Sequence, residues 1–252
     1  MAILGILTCE ILELEFAYLL NADKDISRIT VLENSRSARI LEALESTGSV
    51  IPNRINDLES FAPDPENRME VLVNVLELGL HNRKQMLQEG LVEAACEMGA
   101  RVDALLLGYG LCGNALQKPD ELLSDADVPV FIPMEEDHPV DDCIGLLIGG
   151  RECYYGEQCK VAGTFFMIPG WTYHWKRMFE QEFGNMSLEI AKRLFQNWVK
   201  SMMYFSDFPE STSVNRCGTR CGGTSSSISF SYAVMFCSIS TTASAMLFLV
   251  SP

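Results

Sequence analysis

The sequence predicts an α/β fold: a mainly parallel, Rossmann-like open sheet with helices on both faces. Two observations carry this. Short apolar runs of strand length recur along the first 170 residues, and helically spaced segments alternate with them. The runs are apolar throughout rather than alternating, as strands covered on both faces are.

AILGILTC (2–9) is the first such run, and the helical pattern EILELEFAYLL follows it. RITVLE (28–33) is a second strand, and SRSARILEALEST has helical spacing. Residues 49–68, with Pro52, Pro63 and Pro65, read as a connecting loop. EVLVNVLEL (70–78) is a strand, ended by Gly79. NRKQMLQEGLVEAACEMG is a helix closed by a C-terminal glycine, Gly99, with Cys96 at an apolar core position. VDALLLG (102–108) and VPVFIP (128–133) are further strands. DDCIGLLIGG is an acidic turn leading into a short helix. GTFFMIPGW (163–171) reads as a strand ending in a Pro-Gly turn, and SLEIAKRLFQNWVKS (187–201) as an amphipathic helix.

These elements make residues 1–210 a single α/β domain. Residues 211–252 differ. They contain no acid and no lysine, only Arg216 and Arg220 are charged, and Ser and Thr are dense. The uncharged stretch 228–250 meets the length of a membrane span. It is an anchor only if the segment is genuine. The abrupt change of composition reads first as an aberrant tail, such as a shifted reading frame produces, ahead of an anchor or an ordinary further element.

With 34 acids against 19 bases, the formal charge is −15. No basic run offsets it, so neither a nucleic acid nor an anionic membrane surface is an expected partner. The N-terminus lacks a positive leader region and carries Glu10, Glu13 and Glu15 where a secretory signal would stay apolar. The expected location is cytoplasmic. Thiols stay reduced there, so nine cysteines point to metal binding, catalysis or burial before disulfides. No dinucleotide or P-loop glycine motif is present.

In open parallel sheets ligands bind at the carboxyl ends of the strands. Four reactive side chains fall there: Cys9 after the first strand, His81 after the 70–78 strand, Cys112 in GYGLCGN after the 102–108 strand, and Cys143 at a helix start. For any one thiol, burial is the ordinary explanation. The joint placement on one edge makes the set a candidate metal site, with zinc or another borderline-soft divalent metal as the expected ion. A helix N-terminus is expected to lower a thiol pKa. Gly108, Gly110 and Gly113 let the backbone turn and approach a ligand, and Tyr109 and Trp171 would wall a pocket. Glu10 and Asp142 are candidate catalytic groups that would orient a ligand. Cys153 and Cys159 read as loop thiols or a secondary site, His138 as solvated in an acidic loop, and His174 as a pocket or helix-start residue.

These residues sit in stretches that resemble a prokaryotic family catalogued as domain of unknown function 1638. The resemblance rests on ILTCEILELEFAYLL, LELGLHNRKQMLQEGLVEA, DALLLGYGLCGNAL, DDCIGLLIGG and GTFFMIPGW, in that order. It implies reactive residues at Cys9, Glu10, His81, Cys112 and Cys143. It also implies membership of a group common in methanogens and other anaerobes, some of it near corrinoid-dependent methyl transfer. This chain departs from the family at IPMEEDHPVDDCI, where Asp141 stands in place of a histidine and a Pro-Arg pair is missing. It departs again past MMYFSDF (202–208), where the family continues with another strand and helix.

Three functions are compatible with these features. The first is a metal-thiolate protein, a transferase acting on a small thiol or methylated substrate. The second is a non-catalytic accessory protein that binds a metal or corrinoid cofactor, a corrinoid protein or a methyltransferase. The third is a metal-free cysteine enzyme with Cys112 as nucleophile and His81 as base.

Overall fold

The computed structural model describes residues 1–47, 51–78, 83–112, 114–135, 137–148 and 168–183, together with positions 152, 155, 156, 159 and 189. The expected 187–201 helix, the 202–208 strand and the 211–252 tail lie outside these residues. Among the described residues no helix is long and apolar enough to cross a membrane.

A six-stranded sheet forms the centre, all of its pairings parallel, in the order β3-β2-β4-β1-β5-β6. Its strands are β1 (Ala2–Cys9), β2 (Arg28–Leu32), β3 (Asn53–Ile55), β4 (Met69–Leu76), β5 (Ala104–Gly108) and β6 (Val130–Phe131). β1 and β4 pair along their full lengths, from Ala2 opposite Met69 to Cys9 opposite Leu76. β1 also pairs β5, ending with Thr8 opposite Gly108. The α/β expectation therefore holds.

The helices are α1 (Glu13–Ala22), α2 (Ala38–Thr47), α3 (Lys84–Gly99), α4 (Pro119–Leu122), α5 (Cys143–Ile148) and α6 (Pro169–Phe183). A 3-10 turn, Glu10–Leu12, joins β1 to α1. α1 packs on α2, whereas α3 packs on β1, β5 and the 3-10 turn Ser124–Ala126. Crossovers between parallel strands are right-handed almost without exception. The connection from β1 to β2 runs one way along the sheet and that from β4 to β5 the other. Their helices thus cover opposite faces. Two adjacent strands, β1 and β4, send their chains to different faces, which opens a crevice at their carboxyl ends.

Four local expectations are corrected. Residues 49–68 are not only a loop: they contain β3 and a 3-10 turn, Leu58–Ser60, capped by Asp57, which accepts the Ser60 N–H at 2.8 Å. A three-residue edge strand is too short to carry a periodic signal. Pro169 and Gly170 are not a turn; they begin α6, where a proline's fixed φ suits the first helical position, and the strand expected before them at 163–167 lies outside the described residues. The acidic MEEDHP stretch folds back as a hairpin of β7 (Met134–Glu135) and β8 (His138–Pro139). Cys96 is exposed rather than in the core. The buried stripe of α3 is Leu87, Leu91, Ala94, Ala95 and Met98, and position 96 turns away from it.

Gly99 is the last residue of α3, not a left-handed cap beyond it; Ala100 caps the helix in right-handed geometry. Its role is close approach. A Cβ there would lie 2.1 Å from the Ala126 carbonyl oxygen, a backbone atom that cannot rotate away. Gly99→Ala is expected to cost about 1–3 kcal/mol by overpacking. Gly156→Ala, where a Cβ would meet nothing within 4 Å, is expected to stay near wild type. Urea unfolding of the two variants checks this; equal stabilities would refute the packing role.

Candidate functional site

β1 delivers Cys9 and then Glu10 to the crevice. Glu10 is 2% exposed, yet its carboxylate is partnered. Its Oε2 accepts the Leu78 N–H at 2.8 Å and pairs with Arg177 Nη2 of α6 at 2.5 Å. One carboxylate thus ties the exit of β1 to the exit of β4 and to a helix 160 residues on. The start of α6 presses on the same turn: a Cβ at Gly170 would lie 2.0 Å from the Ile11 carbonyl oxygen.

β5 delivers the GYGLC segment beside β1. A Cβ at Gly108 would fall 2.5 Å from both the Phe16 ring and the Thr8 hydroxyl. At Gly110 it would fall 2.6 Å from the Val140 carbonyl oxygen and 2.7 Å from the Asp142 Cα. Gly110 therefore admits the 140–142 segment, and two backbone bonds fasten it. Leu111 N–H donates to Val140 O at 2.8 Å and Cys112 N–H to Asp141 O at 3.1 Å. Cys143 begins α5 immediately afterwards. Asp142 caps that helix, its Oδ1 accepting the Gly145 N–H at 2.8 Å.

Cys9 is buried, and Cys112 and Cys143 are half-buried. The three thiols come from separate elements and lie within each other's electrostatic reach. Charge on Cys112 would raise the pKa of both Cys9 and Cys143, and Cys9 likewise acts on Cys143. The Tyr109 hydroxyl sits in the field of all three; the residue is 2% exposed and its hydroxyl has no hydrogen-bond partner among the described residues. An orphaned buried hydroxyl costs roughly 1–3 kcal/mol. Cys112 itself has φ 44°, the left-handed region that non-glycine residues avoid.

The expected lowering of thiol pKa at a helix start is not found. Burial dominates and pushes Cys9 up to about 12 and Cys112 up to about 11. Cys143, the first residue of α5, is raised well above its ordinary value, by burial first and then by Cys112, Cys9 and Asp142. The six-residue helix, already capped by an acid, does not offset the loss of water.

Of the predicted residues, the structure gathers Cys9, Glu10, Tyr109, Gly110, Cys112, Asp142 and Cys143 at one edge. His81 and Gly113 lie outside the described residues, as does Cys153. Trp171 is in the first turn of α6 and packs against the core. His138 is exposed on the hairpin, and Cys159 is exposed. Among the described residues no group of three or more His, Cys, Asp or Glu side chains is disposed to hold a metal ion. The thiols by themselves do not complete such a group.

On the other side of the Glu10–Leu12 turn lies a charged network that the sequence reading did not assemble. His174 Nε2 meets Glu13 Oε1 at 3.0 Å, and its Nδ1 is 3.4 Å from Arg177 Nη2. Arginine only donates, so Nδ1 accepts and the ring hydrogen sits on Nε2, facing Glu13. Arg39 Nε lies 3.7 Å from Glu13 Oε1, and its guanidinium stacks 3.6 Å over the Tyr173 ring. Burial raises the Glu13 pKa despite His174 and Arg39. The available signal was three acids, at 10, 13 and 15, inside an otherwise apolar segment.

Glu15 is 8% exposed, its Oε2 has no partner, and burial lifts its pKa from 4.5 to about 7. A carboxyl that titrates higher when folded favours folding in its protonated form. Its contribution is complete below about pH 4.5 and is lost as pH rises through about 7. Urea unfolding of wild type and Glu15→Gln between pH 5 and 8 should show the variant gaining relative stability, by up to about 3 kcal/mol. A difference that stays constant with pH would contradict this reading of Glu15.

A family model described as "Protein of unknown function (DUF1638)" matches residues 75–210, more than half of the chain. The match takes in two of the three thiols, the 140–142 segment and α6. No curated protein and no solved structure matches the chain.

Proposed function

Because the chain belongs to the DUF1638 family, whose description assigns no activity, we propose a function from the residues gathered at the strand ends. The protein binds a thiophilic divalent metal, zinc before others, through Cys9, Cys112 and Cys143. His81, in the connection between β4 and α3, is the fourth donor in this reading.

The backbone of Cys112 carries the proposal. A left-handed L-residue costs about 1–2 kcal/mol. A cysteine that merely filled a bend would be replaced there by glycine without loss. Keeping a thiol at that cost, within electrostatic reach of two others, has a reason if the thiol serves as a ligand. The orphaned Tyr109 hydroxyl in the same field supports the reading, since a bound group or its water would satisfy it. The donor set is soft and suits zinc. Such a metal, when bound, keeps a sulfur nucleophilic near neutral pH, which suits thiol or methyl-transfer chemistry. Glu10 holds the β1 and β4 exits in place, and Asp142 sets the start of α5, so both act by positioning thiols. Four protein donors would make the protein a carrier; three and an open position would make it a transferase.

The raised thiol pKa values do not favour the metal-free alternative. A nucleophilic Cys112 would need its thiolate near neutral pH, and burial opposes that.

Metal analysis and zinc titration of the full chain, under reducing and metal-replete conditions, test the proposal. One metal per chain is expected, lost in Cys112→Gly and in His81→Ala. In metal-free protein, Cys112→Gly should lie within about 1 kcal/mol of wild type, because relief of the left-handed strain offsets the lost thiol packing. Folded wild type that takes up no metal, or a Cys112→Gly variant that keeps it, would sink the reading.

A further inference from the structure

We propose that the cavity between α2, α6 and the turn after β1 is a binding site for a small anion presenting a phosphate or carboxylate group. The inference does not rest on the thiol site. The cavity holds about 360 Å³ and lies beyond the charged side of the Glu10–Leu12 turn. Arg36 and Arg39 approach it from the start of α2, and His174, Lys176 and Arg177 from α6.

Charge is the first argument. In a chain of formal charge −15, an arbitrary depression would be acidic. Here four full cations converge on one cavity from two elements. The two innermost acids, Glu10 and Glu13, have side chains only 3% and 1% exposed. They form the floor, and each is already engaged, Glu10 by Leu78 and Arg177, Glu13 by His174 and Arg39. At the opening, Arg36 and Arg177, with side chains 35% and 41% exposed, and the exposed Lys176 outnumber the one exposed acid of the lining, Glu42.

Geometry is the second argument. Carboxylates fix two of the guanidiniums, the buried Glu10 and the half-exposed Glu77. Glu10 takes an Nη2 of Arg177, whose Nε meets no partner. Glu77 takes Arg36 Nη2 at 2.8 Å from the end of β4. Arg39 is held flat on Tyr173. The Arg36 and Arg177 guanidiniums held in this way keep N–H donors for an incoming oxyanion, and recognition of carboxylate or phosphate is what arginine does best. A network serving only to hold α2 to α6 would close the space between them. Exposed ion pairs add at most about 1 kcal/mol each to stability, too little to explain five cationic or ionisable groups around an open cavity.

The test is isothermal titration calorimetry of the full, metal-free, reduced chain with inorganic phosphate and, separately, succinate, at ionic strength matched with chloride. Saturable one-to-one binding of at least one, with a dissociation constant below about 10 mM, is expected. Binding of phosphate alone assigns a phosphoryl ligand; binding of succinate alone assigns a carboxylate. Arg36→Gln and Lys176→Gln should each weaken binding about tenfold, the scale of one charge-assisted hydrogen bond. Lys24→Gln, on the α1–β2 connection, should not. Saturable binding of neither anion by folded protein, or equal affinity in the Arg36 and Lys176 variants, would overturn the proposal.

Discussion

A single buried carboxylate organises this molecule. Glu10 stands one residue past β1 and is almost removed from water. Its Oε2 holds the Leu78 N–H beyond β4 and a guanidinium nitrogen of α6. Neighbouring strands whose chains leave to opposite faces tend to splay at their carboxyl ends. The Glu10 clamp fixes that splay. Removing Arg177 would leave the Glu10 carboxylate, which is almost wholly buried, without its counter-charge, and such a group is costly to keep ionised. The positions of Cys9, of the α6 helix and of the 77–78 segment all follow from it.

Around that clamp the turn Glu10–Leu12 divides two environments. One side is poor in charge and holds three thiols and a phenol. The other is dense in ion pairs and holds a cavity. Gly110 and Gly170 make the division possible by letting backbone meet backbone, at 140–142 and at Ile11. A methyl group at either would displace the segment that carries Cys143 or the helix that carries His174 and Arg177. The same constraint therefore shapes both sides.

Much of the central sheet was legible in the sequence, because strands buried on both faces read as unbroken apolar runs. β1, β2, β4 and β5 are of this kind, and knowing their ends places Cys9 and Cys112 on one edge. β3 and the β7–β8 hairpin were not legible, since three or two residues carry no period. The charged network was hidden for a different reason. Glu10, Glu13, Arg39, His174 and Arg177 are each ordinary in their local context, and only pairing over 26 to 167 positions gives them a role. The acids at 10, 13 and 15 did stand out against their apolar neighbours, but an acid does not announce its partner. The left-handed Cys112 was equally hidden; glycines on either side advertised a turn without saying which residue would bear the strain.

The electrostatics of the thiol edge bear on what can bind there. Burial disfavours a thiolate at each of Cys9, Cys112 and Cys143, and each thiolate formed would disfavour the others. Glu10 beside Cys9 and Asp142 beside Cys112 and Cys143 add further negative charge. An isolated thiolate is therefore the species this edge tolerates least. Two states avoid the penalty. In one, all three thiols stay protonated and the edge is simply part of the core. In the other, the protons leave together as a cation arrives, and its charge stabilises what the protein alone does not. The first state gives no reason for a strained backbone at Cys112 or an unanswered hydroxyl at Tyr109. The second gives a reason for both, which is why the metal-thiolate reading is preferred to either a core cluster or a free nucleophile.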